Sequence, residues 1–177
     1  MANEIPKRSS QRDVILGLLA LGLVLSGIGL LVPYRSPENG PLVGQPVPPL
    51  AFRAPGQAPR SVSELRGKTV LIVFWAYWCE PCLAEMESLQ ALEQQMEGQP
   101  FVLWMVHVGQ GESIARGIPF LPKNLLFGNT PEELEAFRFN GLPHTVLVDQ
   151  EGIIRAEYEG PRNWASPEAV ATIKRYL

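Results

Sequence analysis

The chain has only two cysteines, and both lie in one short stretch, Trp78-Cys79-Glu80-Pro81-Cys82, directly after the apolar run Val70 to Trp75. A strand-like run that ends in an aromatic residue and opens into C-x-x-C confines this region to a strand, a tight turn and a helix, with the thiols at the turn. Cys79 then falls at the start of the helix and Cys82 one turn in, close enough to close a small disulfide loop. A four-thiolate zinc site would need a second pair of cysteines, and the sequence has none.

The spacing assigns different chemistry to the two sulfurs. Backbone N–H groups and the dipole at a helix N-terminus favour an anion, so Cys79 is the expected nucleophilic thiolate and Cys82 the shielded, resolving thiol. Pro81 sits in the first turn, where it costs no helical hydrogen bond and pre-sets the backbone. Glu80 places a carboxylate between the sulfurs. It disfavours the thiolate, makes Cys79 a poorer leaving group and favours the disulfide form, which points to reducing power. Trp78 completes the environment of the turn.

The following helix is expected from about Pro81 to Met96, before Gly98 and Pro100. At 100° per residue Cys82, Met86, Leu89, Leu92 and Met96 share one arc, with Ala84, Glu87, Ser88, Gln94 and Gln95 opposite. Glu85 falls at the margin of the apolar arc, three residues after Cys82. Burial there would raise its pKa and make it a candidate to exchange a proton with Cys82. The plainer alternative is one more solvated helix glutamate.

The 177 residues are 46% hydrophobic and carry a net charge of −3, which suits one domain with an appended segment and gives no sign of nucleic-acid binding. The appended segment is Val14 to Val32, an uncharged stretch whose helix would rise about 28 Å, close to the hydrocarbon thickness of a bilayer. Lys7, Arg8 and Arg12 precede it and Arg35 follows, so residues 1–13 are expected in the cytoplasm, 14–32 as a retained inner-membrane anchor, and the rest on the extracytoplasmic, periplasmic side. A cleaved secretory signal would end in a small-x-small site, for which Ser26-Gly27-Ile28-Gly29 is a poor match. Residues 33–49, dense in proline and glycine, read as a tether, leaving 50–177 as the folded domain.

Within that domain Leu50 to Phe52 is expected as a short edge strand, Ser63 to Lys68 as a helical turn, and Thr69 to Trp75 as a strand covered on both faces. Phe101 to Val108 reads as a second strand, with a helical turn at Ile114 to Gly117 and a short strand at Asn124 to Phe127. Pro131 to Phe139 reads as a helix capped by Thr130. Thr145 to Asp149 and Ile153 to Tyr158 form a hairpin around Gln150-Glu151-Gly152, and Ser166 opens a terminal helix.

Several separated motifs together resemble the TlpA/ResA/CcmG group of membrane-anchored thioredoxin-like proteins. They are Leu65-Arg66-Gly67-Lys68, the run Val73 to Cys82, Glu85, Gly141-Leu142-Pro143-His144-Thr145, and the hairpin from Val148-Asp149 to Gly152. The resemblance implies an α/β thioredoxin-like fold, a central mixed sheet flanked by helices, preceded here by one N-terminal transmembrane helix. Pro143 would then be the cis-proline of that fold, with the backbone of Leu142 pairing an incoming substrate strand beside Cys79. It further implies a protein-disulfide reductase that needs no cofactor beyond its redox-active disulfide. Its protein substrate would be of the apocytochrome c kind in cytochrome c biogenesis, its electron donor a membrane carrier of the CcdA or DsbD type, and Glu85 an active-site residue. The family often has a proline two residues after that glutamate, where this chain has Glu87.

An alternative from another class is copper(I) delivery, with Cys79, Cys82 and His144 as ligands. Copper-delivery proteins of the Sco type separate their cysteines by three residues, and this chain has two between them. His107, at a strand end, reads as a structural or surface histidine. A peroxidase would present a threonine-rich loop before a lone cysteine, and that pattern is absent.

Overall fold

The structure is a computed structural model that describes residues 40–49, 51–52, 58, 60–109, 125–126, 135–138 and 140–177. The chain divides into two compact units, Met1–Ser36 and Pro37–Leu177, and every described residue belongs to the second. The expected cytoplasmic segment, the anchor at 14–32 and the helical turn at 114–117 therefore lie outside the described residues, as does most of the helix expected at 131–139. Among the described residues no helix is long and apolar enough to cross a membrane.

A five-stranded mixed sheet is built on β3 (Thr69–Trp75) at its centre. Parallel to β3 runs β4 (Phe101–His107), followed outward by β5 (Leu125–Leu126); on the other side β6 (His144–Val148) and β7 (Ile154–Glu159) add antiparallel strands. All seven residues of β3 are buried, because a central strand covered on both faces must be apolar throughout. Its alternate side chains feed two cores. Leu71, Val73 and Trp75 pack with helix α1 (Glu80–Gln95) and helix α2 (Pro167–Lys174), while Val70, Ile72 and Phe74 face Leu42, Val62, Leu65 and Phe137.

The predicted edge strand at 50–52 is instead half of a separate two-stranded sheet, β1 (Ala51–Phe52) paired with β2 (Arg60–Ser61). Ser61 then caps a 3-10 turn at Val62–Leu65, its hydroxyl accepting from Ser63 N–H while Glu64 reaches back to Ser61 N–H. The expected tether also ends earlier than residue 49. Leu42 is buried, Gly44 and Val47 donate to the carbonyls of Ile154 and Gly152, and Ile154 donates to Gln45, so residues 42–47 run along the β7 end of the sheet. Proline and glycine content hid this, since neither shows the period-two alternation that marks a strand.

The β6–β7 hairpin is closed by Asp149, whose Oδ1 accepts from Glu151 N–H at 3.0 Å and Ile153 N–H at 2.8 Å, and which pairs with Arg155 through Oδ2. Because β6 runs antiparallel to β3, it begins at the sheet end where β3 stops. The segment Gly141 to Pro143 and the cysteine turn are therefore neighbours by topology.

Candidate active site

The active turn grows from the end of β3. Cys79 N–H donates to Ala76 O at 3.1 Å, which turns the chain, and Cys79 becomes the N-cap of α1 with Glu80 and Pro81 in its first turn. Cys79 and Cys82 form a disulfide, Cα to Cα 5.3 Å. The N–H of Cys82 points at Cys79 Sγ, 3.3 Å away, so one orphan donor of the first helical turn is aimed at the sulfur that would carry charge in the reduced form. Both cysteines are buried, Cys79 at 5% exposure and Cys82 at 1%. Glu80 and Pro81 are exposed beside them.

Large aromatic side chains stand open around this turn. Trp78 is 65% exposed and Tyr77 52%, an unusual exposure for residues of this size. The Tyr77 ring stacks on His107 with centroids 5.9 Å apart, and His107 meets Trp75 edge-on at 5.1 Å. His107 is thus a buried residue rather than a surface one, its pKa lowered by desolvation against a hydrogen bond with Gly109 that raises it.

Glu85 lies on the buried face of α1, one turn beyond Cys82, and is 3% exposed. Its Oε2 accepts from Trp164 Nε1–H at 3.0 Å and from Arg162 N–H at 3.2 Å. Desolvation is the largest influence on this carboxyl and pushes its pKa from 4.5 up to about 7, against those two hydrogen bonds and the Arg162 charge. A carboxyl with its pKa near neutrality can take or return a proton at working pH.

The partners of Glu85 come from the segment after β7, which carries no periodic signal. Ser88, placed by angle on the outer side of the helix, is half-buried because this segment covers it: its Oγ accepts from Trp164 N–H at 3.1 Å and donates toward the carbonyls of Glu85 and Arg162. A tryptophan in the otherwise polar Pro161-Arg162-Asn163-Trp164 was the available signal. Between α1 and this segment lies an open pocket of about 560 Å³ lined by Ala84, Glu85, Ser88, Ala91, Arg162 and Asn163.

The Leu142–Pro143 peptide bond is cis. Leu142 packs against the cluster that contains Cys79 and Cys82, and Pro143 O accepts from Gly160 N–H at 2.9 Å. His144, in contrast, does not join the cysteines. In register opposite Phe74 and with its ring 6.1 Å from that of Phe74, it occupies the other face of the sheet, and burial pushes its pKa down to about 4. The ligand set Cys79, Cys82 and His144 is therefore not assembled: side chains two apart along β6 share a face, and His144 goes with Val146. Among the described residues no group of three or more His, Cys, Asp or Glu side chains is placed to hold a metal.

Residues 43–157 match the AhpC/TSA family. The chain is 26% identical to the thiol-disulfide oxidoreductase ResA of Geobacillus thermodenitrificans over 84% of this chain and 86% of that protein. It is 30% identical to the thiol:disulfide interchange protein DsbE of Escherichia coli over 70% of each. Thioredoxin-like protein YneN of Bacillus subtilis is 34% identical over a shorter match, so the chain spans about half that relative's length, 47%. Among solved structures, the thioredoxin domain of a thiol-disulfide oxidoreductase from Bacteroides vulgatus superposes with a TM-score of 0.65 at 22% identity, over 76% of this chain and 97% of that one, which shows the thioredoxin-like fold.

Proposed function

Because the chain belongs to the AhpC/TSA family, among relatives of the ResA and DsbE kind, we propose that it is an extracytoplasmic reductase of protein disulfides, held to the membrane by residues 14–32. The chain is a thiol–disulfide oxidoreductase. The observation that carries the reading is the Cys79–Cys82 disulfide at the N-cap of α1, with Cys82 N–H on Cys79 Sγ and a buried carboxyl one turn further on.

In the reduced protein, Cys79 thiolate attacks a substrate disulfide, one substrate sulfur leaves as thiolate, and a mixed disulfide remains. Cys82 gives its proton to Glu85, and its thiolate attacks Cys79 Sγ. The second substrate sulfur departs with the bonding pair, so two electrons pass to substrate and the Cys79–Cys82 disulfide is restored. The cis Leu142–Pro143 segment and the exposed Tyr77 and Trp78 border the turn where the substrate must dock. The family resemblance supports apocytochrome c cysteines as substrate and a CcdA- or DsbD-type membrane carrier as donor. The apolar, charge-free stretch at 14–32, with basic residues before it, supports the topology.

The test is the equilibrium reduction potential of the Cys79–Cys82 couple in a dithiol buffer. A value near thioredoxin's, about −270 mV, fits a reductase fed with electrons. A value near about −120 mV, that of a strong oxidant, would reverse the direction of the reaction.

A further inference from the structure

The carboxylate of Glu85 is divided unequally. Oε2 holds both hydrogen bonds, from Trp164 Nε1–H and Arg162 N–H, whereas the buried Oε1 has no hydrogen-bond partner among the described residues. An unsatisfied buried acceptor is costly, so its presence beside a redox centre calls for a reason. The donors are themselves fixed in place. Ser88 ties Trp164 N–H to α1, the Trp164 ring meets Tyr158 edge-on at 5.3 Å, and the Arg162 guanidinium lies 4.3 Å from the Tyr158 ring centroid and 5.7 Å from that of Trp164.

We infer that Trp164 is a positioning residue for thiol–disulfide exchange: its indole N–H, with the main-chain N–H of Arg162, holds one oxygen of Glu85 and leaves the other free to take the Cys82 proton. The inference rests on Glu85 being the proton partner of Cys82. When Cys82 S–H breaks, its proton goes to Glu85 Oε1 and the sulfur's electron pair forms the bond to Cys79. Before the transfer the carboxylate charge is met on Oε2 by donors already in place. Taking the proton on Oε1 neutralises the carboxyl, and the negative charge passes through the Cys82 sulfur to the substrate thiolate that leaves Cys79, so no donor has to reorganise in the step. Among the described residues, the ionisable groups that line the pocket with Glu85 are Glu87 on α1 and Arg162 on the covering segment; Tyr158 of β7 lies against the Arg162 guanidinium, and Cys82 is one turn back along α1.

Trp164→Phe keeps an aromatic ring at this buried position, smaller than the indole, and removes the donor. In the full chain, reduced and mixed with 5,5′-dithiobis(2-nitrobenzoate), the first thionitrobenzoate reports attack by Cys79 and the second reports resolution by Cys82. Losing a donor to a charged acceptor should move the midpoint of the resolution step upward by about one pH unit and leave the first step unchanged. Glu85→Gln should remove that midpoint. A Trp164→Phe profile that overlays the wild type, while Glu85→Gln abolishes the midpoint, overturns the positioning role. A midpoint that survives Glu85→Gln overturns the proton-partner reading beneath it. In the unaltered chain, the Glu85 carboxyl carbon and the Trp164 indole proton should titrate together by NMR with a midpoint near 7. An indole resonance that stays still through that titration also defeats the inference.

Discussion

Oε2 of Glu85 and Nε1 of Trp164 are 3.0 Å apart, joining residues separated by 79 positions in the chain. One half of the active site is thus local to the cysteine turn and its helix. The other half arrives from beyond β7 and sets the environment of the carboxyl.

Cys79 at the N-cap of α1, with the Cys82 N–H on its sulfur, is the expected attacking thiol, and Cys82 the resolving one. Cys82→Ser is expected to accumulate mixed disulfides with substrate, because Cys79 attacks and nothing resolves, whereas Cys79→Ser should accumulate none. Non-reducing gels with a mass-spectrometric readout decide this. Trapping by Cys79→Ser alone would exchange the assignments.

Two buried groups give stability opposed dependences on pH. Glu85, raised from 4.5 to about 7, keeps its proton in the fold where the unfolded chain has lost it, so its contribution is full below pH 4.5 and falls as pH rises to 7. His144, lowered from 6.5 to about 4, stays neutral in the fold where the unfolded chain is protonated, so its contribution is full above pH 6.5 and falls as pH drops to 4. Glu85→Gln should remove the first slope and gain about 3 kcal/mol relative to the wild type between pH 4.5 and pH 8. Urea unfolding across that range measures it, and parallel stability curves would contradict the burial argument.

Gly40 is packed against a buried carboxylate. A Cβ there would lie 1.5 Å from Glu157 Oε2 and 2.6 Å from Glu157 Cβ, so more than the far end of the side chain must move, and Glu157 Oε1 holds Leu42 N–H at 2.9 Å. Gly40→Ala should cost about 1–3 kcal/mol through the loss of that bond and the displacement of Glu157. Denaturant midpoints equal to the wild type's would refute this.

Trp78 is the cleaner probe of substrate docking, since Tyr77 also covers the buried His107. Trp78→Ala should raise KM for a protein disulfide severalfold, leave the reaction with a small disulfide unchanged and alter stability by less than about 0.5 kcal/mol. Equal loss with both substrates would place Trp78 in the chemistry rather than in recognition.

Much of this site is written locally. The bounds of β3 match its apolar run, α1 begins one residue before the expected start, and Glu85, expected at the margin of the apolar arc, is buried once Arg162 and Trp164 cover it. The isomer at Pro143 was beyond reading, since cis and trans differ by only about 0.5–1 kcal/mol before tertiary contacts choose. Arg162, Trp164 and the burial of Ser88 depend on where a non-periodic segment folds back. The face of His144, by contrast, follows from its parity with Val146, and proximity to the proline in sequence obscured it.

Gly160 gives its N–H to the carbonyl of Pro143, and two residues later Arg162 gives its own to Glu85. A few residues between β7 and α2 therefore brace both the cis-proline loop and the Glu85 carboxylate. The cysteine turn is not a portable cassette: grafted elsewhere it would bring its sulfurs and its helix N-terminus without either brace. Conversely, substitutions in this linker can retune the enzyme while every residue of Trp78-Cys79-Glu80-Pro81-Cys82 stays as it is.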